Sequence, residues 1–383
     1  MKKKLAILAH NINNRGGMEI HLSEIIKRTS KDYEITVIAS ELTGNFPNVR
    51  FIKIPVPQKP VFIKSVLFCL IASLILLFKR FDFVHTTGAI VLNKVNLSTV
   101  HFCHRAYNSL GFNDRLKHTK SFAHTINSWL QGKFALWMEG LCYTPKRIPK
   151  LIAVSDHVKN ELLYYFEYQE AQVEIIPNGV DTETFAPPTM LEKREIREKM
   201  GVSEKDLVFV FVGGDWSRKG LKILLEAFEL LLDKYPDLEA KVLVVGKGNK
   251  QSILQGLSGK VAEKVLFHGF QENPADLYRM SDVYVLPSLY ETFSIASLEA
   301  GACGLPIIMT RVGISDIIAI DEVTGYTVDR SKDSVLIAME KIAMNKVLRE
   351  SMSQQVRLYS QEITWDQTYD LFKRQYIQLS DIS

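Results

Sequence analysis

The sequence predicts an α/β protein of two domains, each a parallel sheet wrapped by helices, and three observations carry that expectation. Short β-branched and apolar runs alternate with helical patterns from end to end, which is the signature of βα units. A chain of 383 residues is longer than one ordinary domain and favours two. The turn-rich stretch "NGVDTETFAPP" at 178–188 breaks the alternation where a compact sheet would have to end. The boundary is therefore expected near residue 185, with a first domain over 1–185 and a second over 186–361.

The elements follow in order. "KLAILAH" comes after basic residues, as a signal peptide would, but its apolar run is only about six residues and leads to Gly16 and Gly17 rather than a cleavage site, so it reads as the first strand. "EITVIAS", "VRFIKIP", "FDFVHTT", "LSTVHFC", "KLIAVS" and "VEIIPNG" complete the strands of the first half. Between them, "SVLFCLIASLILLF" at 65–78 is apolar enough to need a length test. As a helix it would reach roughly 21 Å, short of the roughly 30 Å hydrocarbon core, so it reads as a helix packed on the sheet, with a dip into a membrane interface as the alternative. From Phe112 to Lys150 the chain is aromatic and without strand patterns, and inserted helices are expected. The second half offers "DLVFVFVGG", "AKVLVVG", "KVLFHG", "DVYVLPS" and "PIIMTRVG" as strands. In the last segment Trp365, Tyr369, Phe372 and Tyr376 share one helical face, and a helix over about 362–383 is expected to pack back on the first domain.

Net charge is +4, but residues through 185 carry 23 Lys+Arg against 15 Asp+Glu, and the remainder 24 against 28. From Arg50 to Lys150 the balance is 15 basic to 3 acidic, a positive region suited to an anionic partner or a membrane surface. Cys69, Cys103, Cys142 and Cys303 lie far apart, which suggests neither a zinc site nor a disulfide framework and fits a reducing cytoplasm. No nucleic acid partner is expected.

In doubly wound sheets, ligands bind beyond the carboxyl ends of the strands, which points to the loops of the second half. After "DVYVLPS" the chain reads "LYETF" and then "SIASLEAGACG", a short helix whose first amides near Ser294 and Ile295 lack carbonyl partners within the helix. That end attracts an anion, and Glu291 and Glu299 border it, each able to accept hydrogen bonds from hydroxyls. The pattern suits a sugar diphosphate. A helix terminus supplies at most about 2 kcal/mol to an anion, so a departing diphosphate needs cations. No D-x-D occurs to hold magnesium, whereas "VGGDWSRKG" supplies Arg218 and Lys219, placed by the pattern at the start of "GLKILLEAFELLL". No Walker loop or G-x-G-x-x-G turn is present.

Together the E-x7-E pair Glu291 and Glu299, "RKG" at 218–220, "IAVSDHVKNEL" at 152–162 and "VEIIPNGVDTETFAP" at 173–187 resemble the retaining GT-B glycosyltransferases of family 4 over almost the whole chain. "GDWSRKG" is most similar to the branch containing the lipopolysaccharide core glucosyltransferase. The resemblance implies two Rossmann-like domains facing across a cleft, with the nucleotide-sugar on the second and the acceptor on the first. It makes Glu299 the partner of the ribose, Glu291 the contact to hydroxyls of the transferred sugar, Arg218 and Lys219 the diphosphate clamp, and the amides of Phe293, Ser294 and Ile295 its cradle. Gly16 and Gly17 would let the first loop approach the phosphates, and His101 stands where many members place a histidine beside the reacting sugar. Two departures stand out: "ETFS" replaces the common E-G-F-G, and "VGG" replaces V-G-R, which leaves the arginine role to Arg218.

The implied reaction moves a hexose from a nucleoside diphosphate sugar, a UDP-sugar first, to a hydroxyl of a cell-envelope glycan or glycolipid, with retention and without a metal or other cofactor. The acceptor is expected to be anionic, and the protein cytoplasmic with peripheral attachment at the inner face of the plasma membrane. The alternatives are a nucleotide-sugar epimerase of the same architecture and a non-catalytic nucleotide-sugar binder.

Overall fold

The computed structural model describes residues 2–13, 16–111 and 122–380, so the part of the expected helical insertion that falls on 112–121 lies outside the described residues. The chain divides into two compact units, Met1–Asn178 with Trp365–Ser383, and Gly179–Thr364. Residue 185 belongs to the second unit. Val180 bridges to Thr364, and the Arg357 guanidinium donates to the carbonyls of Thr182 and Phe185. Turn formers mark the loop, but hydrogen bonds decide its side.

The first unit carries a seven-stranded sheet in the spatial order Val49–Lys53, Glu34–Ala39, Lys4–Leu8, Phe83–Thr87, Leu97–Val100, Lys150–Ala153, Val173–Ile175. Every pairing is parallel. Leu5 to Leu8 are fully buried, as a strand covered on both faces must be, and such strands read as continuous apolar runs. The helix Gly17–Thr29 lays Leu22, Ile25 and Ile26 on this sheet. The helix Trp365–Ser380 returns to the same core, where Phe372 and Tyr376 are fully buried beside Leu5, Ile7 and Ile35. Its rim is pinned by Arg28 to Asp366 at 2.7 Å and by the Tyr369 hydroxyl to Asp32 at 2.6 Å.

The apolar stretch forms the helix Val61–Phe78, 18 residues and so about 27 Å. It is longer than the run 65–78 suggested, because Val61 to Lys64 join it, and by length and composition it could cross a membrane. One face packs within the unit, against the helix Phe122–Cys142: the Phe62 and Phe134 rings lie 5.9 Å apart. The four cysteines are free and buried.

The second unit holds a six-stranded parallel sheet in the order Val265–Gly269, Ala240–Val245, Leu207–Val212, Val283–Leu286, Ile307–Thr310, Gly325–Val328. The last strand is one the sequence pattern did not single out. It is short and opens on Gly325, where a Cβ would lie 1.8 Å from the Ile307 carbonyl oxygen, so close strand approach replaces side-chain bulk.

Candidate functional site

Chain order in the second sheet reverses between Leu207–Val212 and Val283–Leu286, which pair directly. The loops that leave these two strands carry "GGDWSRKG" and "PSLYETFS", so both motifs stand at the crevice where doubly wound sheets bind ligands. The loops are stitched together. The Leu289 amide donates to the Arg218 carbonyl at 2.8 Å, and the Ser288 hydroxyl to the same oxygen at 3.3 Å. Gly220 makes the approach possible: its φ is +78°, and a Cβ there would lie 2.1 Å from the Pro287 carbonyl oxygen.

Arg218 and Lys219 do not open the long helix, as the pattern suggested. They close a separate turn, Trp216–Lys219, capped at its start by the Asp215 carboxylate and at its end by Gly220, and only then does Leu221–Lys234 begin. Cations therefore sit at the favourable end of that turn. Asp215 also holds the Arg218 Nε at 3.1 Å. Lys219 threads over Gly213, where a Cβ would be 2.2 Å from the lysine Cδ, so this glycine clears the path of the lysine stem.

Both cations converge on Glu291. Its Oε1 accepts from Lys219 Nζ at 2.9 Å, Arg218 Nη1 at 3.0 Å and the Ser288 hydroxyl at 3.1 Å. Arg218 also donates to the Tyr290 carbonyl. Burial pushes the Glu291 carboxyl up, but Lys219 and Arg218 more than offset it and hold the group below the ordinary carboxylate range. Glu299 is the opposite case. It is equally buried, its carboxyl accepts from the Tyr278 hydroxyl at 3.1 Å as its one partner among the described residues, and burial pushes it up to about 8. The two glutamates are therefore pushed in opposite directions, Glu291 toward the ionised form and Glu299 toward the protonated one.

The helix Ile295–Ala302 starts between them. Ser294 precedes it at φ +78°, a left-handed conformation that costs a side-chain-bearing residue about 1–2 kcal/mol. The Ser294 hydroxyl bonds that of Ser297 at 2.6 Å, and its carbonyl accepts from Ser297 and Leu298. The amides that open the helix have no carbonyl within it to bind. Phe293 turns its carbonyl back to the Ile314 amide, over Gly313, where a Cβ would be 2.4 Å from that oxygen. The rings of Tyr290 and Phe293 are buried, so they pack rather than offer a stacking face.

The remaining candidates belong to the first unit. His101 follows the strand Leu97–Val100 and meets the His21 ring edge-on at 4.6 Å, with its Nε2 buried and without a hydrogen-bond partner among the described residues. His85 stacks on Phe372 and bonds the Thr99 and Tyr376 hydroxyls. Burial lowers all three imidazoles, His21 to about 4 and His85 to about 3, and they are neutral at physiological pH. Gly16 caps the helix Gly17–Thr29 in an extended conformation open to any residue, and a Cβ there would meet only the end of the Glu19 side chain. Among the described residues no group of three or more His, Cys, Asp or Glu could hold a metal ion.

Sequence reasoning missed Tyr278, Ser288 and Asp215, which position the glutamates and the arginine. Only Asp215 carried a local signal, a capping residue just before "WSRK".

Comparison with known proteins fits this geometry. The family model described as Glycosyltransferase Family 4 matches residues 15–184, and that described as Glycosyl transferases group 1 matches 192–359. A D-inositol 3-phosphate glycosyltransferase of Actinosynnema mirum is 31% identical over 61% of this chain and 58% of its own length. The UDP-Gal:alpha-D-GlcNAc-diphosphoundecaprenol alpha-1,3-galactosyltransferase of Escherichia coli is 27% identical over 55% of each chain. The chain thus spans little more than half the length of these curated relatives. The crystal structure of WaaG, a glycosyltransferase involved in lipopolysaccharide biosynthesis, superposes with a TM-score of 0.80 over 96% of this chain and 99% of that one, at 18% identity, and establishes the shared fold. With the two family models covering both halves and the GT-B architecture in place, the chain belongs to the family 4 glycosyltransferases.

Proposed function

We propose that the protein is a retaining glycosyltransferase that moves a hexose from a nucleoside diphosphate sugar, a UDP-sugar first, to a hydroxyl of a cell-envelope glycan or glycolipid. The observation that carries this reading is the pre-assembled cluster of Arg218, Lys219 and Glu291 beside the start of the helix Ile295–Ala302. Two cations and free helix amides meet a diphosphate, and a carboxylate held among them meets hydroxyls. The three donors to Glu291 found among the described residues use Oε1, and in this reading Oε2 meets the transferred sugar. Glu299, at the far side of the helix start, takes the ribose hydroxyls and gives up its proton as it does so.

Charge develops on the leaving diphosphate as the glycosidic bond breaks, and fixed cations stabilise that state without reorganising. The diphosphate itself takes the acceptor proton, and the protein supplies position and charge. No metal is required in this scheme. The acceptor, anionic in our reading, meets the first unit, and the protein works at the inner face of the plasma membrane. The donor of the Escherichia coli relative, a UDP-hexose with a diphospholipid-linked acceptor, supports the substrate class.

Incubation with UDP-hexoses and a membrane glycolipid extract tests the reading: release of UDP, a product with the donor's anomeric configuration by proton NMR, and activity that survives EDTA are expected. Conversion of the sugar to its epimer with donor alone would assign an isomerase instead. Activity lost in EDTA and restored by magnesium would overturn the metal-free scheme.

A further inference from the structure

The helix Val61–Phe78 buries Phe68, Cys69 and Ala72 and leaves a second apolar face open to solvent. Its polar residues Lys64, Ser65 and Ser73 are buried, while Ile63, Leu67, Leu70, Leu74 and Leu77 stand exposed at spacings of four, three, four and three, one stripe along the helix. Lys64 and Ser73 are hydrogen-bonded. Lys64 Nζ donates to Asn11 and Gln58, each at 2.9 Å, and the Ser73 hydroxyl accepts from the Leu92 amide at 2.9 Å. Exposure grows toward the end of the helix, to 54% at Leu74, 71% at Leu77 and 81% at Phe78. The adjacent helix Phe122–Cys142 likewise exposes Ile126, Trp129 and Trp137 on one face, with Lys133 lying 6.0 Å from the Trp129 ring. Exposed apolar surface this continuous marks a contact with another phase or molecule.

The charge around it says which. Where the apolar stripe ends, a cavity of ≈ 660 Å³ is lined by Leu76, Leu77 and Phe81 together with Lys79, Arg80 and Lys94, and no acidic residue lines it. Among the described residues these three cations form no ion pair, and their region of the chain is the one with 15 basic against 3 acidic residues. A second copy of this chain would bring the same positive region against itself, and a helical partner would want charges along both flanks of the stripe. From Val61 to Phe78 the only charged residue is the buried Lys64.

We propose that this surface is a docking site for an anionic phospholipid bilayer, with the leucine stripe, Phe78 and the two tryptophans in the acyl and interfacial layers and a lipid phosphate seated between Lys79, Arg80 and Lys94. Tryptophan, leucine and flanking cations on a helix that lies in the membrane plane are the combination such binding uses. The inference gives the membrane attachment proposed above a location, and it stands on the first unit alone.

Flotation of the full chain with vesicles of phosphatidylcholine containing phosphatidylglycerol, against phosphatidylcholine alone, tests it. The wild type should float with the anionic vesicles. Leu74→Ser with Leu77→Ser should lower partitioning at least about tenfold, and Lys79→Ala with Arg80→Ala and Lys94→Ala should remove the preference for the anionic lipid. Both variants alter exposed positions and should keep the wild-type thermal shift with nucleotide-sugars, which separates loss of the surface from failure of the donor reading. Wild-type protein that stays with the soluble fraction, variants that float like wild type, or a concentration-dependent dimer abolished by the leucine changes would overturn the proposal, the last assigning the face to a second copy.

Discussion

The two units share one topology and use it differently. In each sheet the chain order reverses beside its first strand. Beyond that point the second unit carries Arg218 and Lys219, each within 3.0 Å of the same Glu291 carboxylate oxygen. The strands Phe83–Thr87 and Leu97–Val100 of the first unit carry His85 and lead to His101, which join His21 in a cluster held neutral by burial. One sheet end is built to meet fixed charge, the other to exclude it. The difference teaches that topology selects where a ligand goes, and the residues at two loop starts select what it is.

Four substitutions put this contrast to the test. The largest effect is expected far from any ligand. Phe372→Ala empties a fully buried site between His21 and His85 and should cost about 3–5 kcal/mol, lowering the unfolding transition of the first unit while that of the second stays put. A single transition that shifts as a whole in calorimetry would mean the units do not unfold separately. Next, Lys219→Ala should lower turnover by about a hundredfold, the usual loss when one stabilising donor to a developing anion is removed, with circular dichroism unchanged. Steady-state kinetics that match wild type would remove the lysine from the clamp.

A smaller and two-sided effect is expected from Glu299→Gln. The carboxyl titrates near 8 when folded against 4.5 in its ordinary state, so its burial costs nothing below about pH 4.5, costs progressively more as pH rises to 8, and costs the full amount above it. The variant should melt higher than wild type at pH 8.5, not at pH 4.5, and bind donor about tenfold more weakly. Donor affinity of the wild type should rise between pH 6 and 8 with release of a proton, measurable by calorimetry in buffers of different ionisation heat; a flat profile would mean the ribose does not meet the ionised carboxylate. Smallest, Ser294→Gly should raise stability by about 1 kcal/mol by relieving its positive φ. A loss would show that the Ser294 to Ser297 bond outweighs the strain.

The parallel sheets and the returning aromatic helix were legible because buried strands and one-sided helices leave periodic patterns. The pairing of Glu291 with Arg218 and Lys219 was legible only as two separate motifs, because 73 residues separate Arg218 from Glu291 and what joins them is Gly220 packed on the Pro287 carbonyl. Tyr278 left no mark, since an aromatic in an apolar context looks the same whether or not its hydroxyl reaches Glu299. The opposite tendencies of the two glutamates were likewise hidden: composition around both is apolar, and partners distant in sequence decide which way each is pushed. The exposed apolar face of Val61–Phe78 needed coordinates too, because a run that apolar does not reveal which face packs.

Thermal denaturation of wild type and Lys219→Ala against UDP-, GDP- and ADP-sugars tests whether the sheet reversal of the second unit is a nucleotide-sugar site. A ligand at 100 times its dissociation constant adds about 2.7 kcal/mol to stability. One nucleotide class should raise the transition of the second unit in the wild type, UDP-sugars first, and do so much less in the variant. No shift with any of the three at millimolar concentration, or the same shift in both proteins, would contradict it.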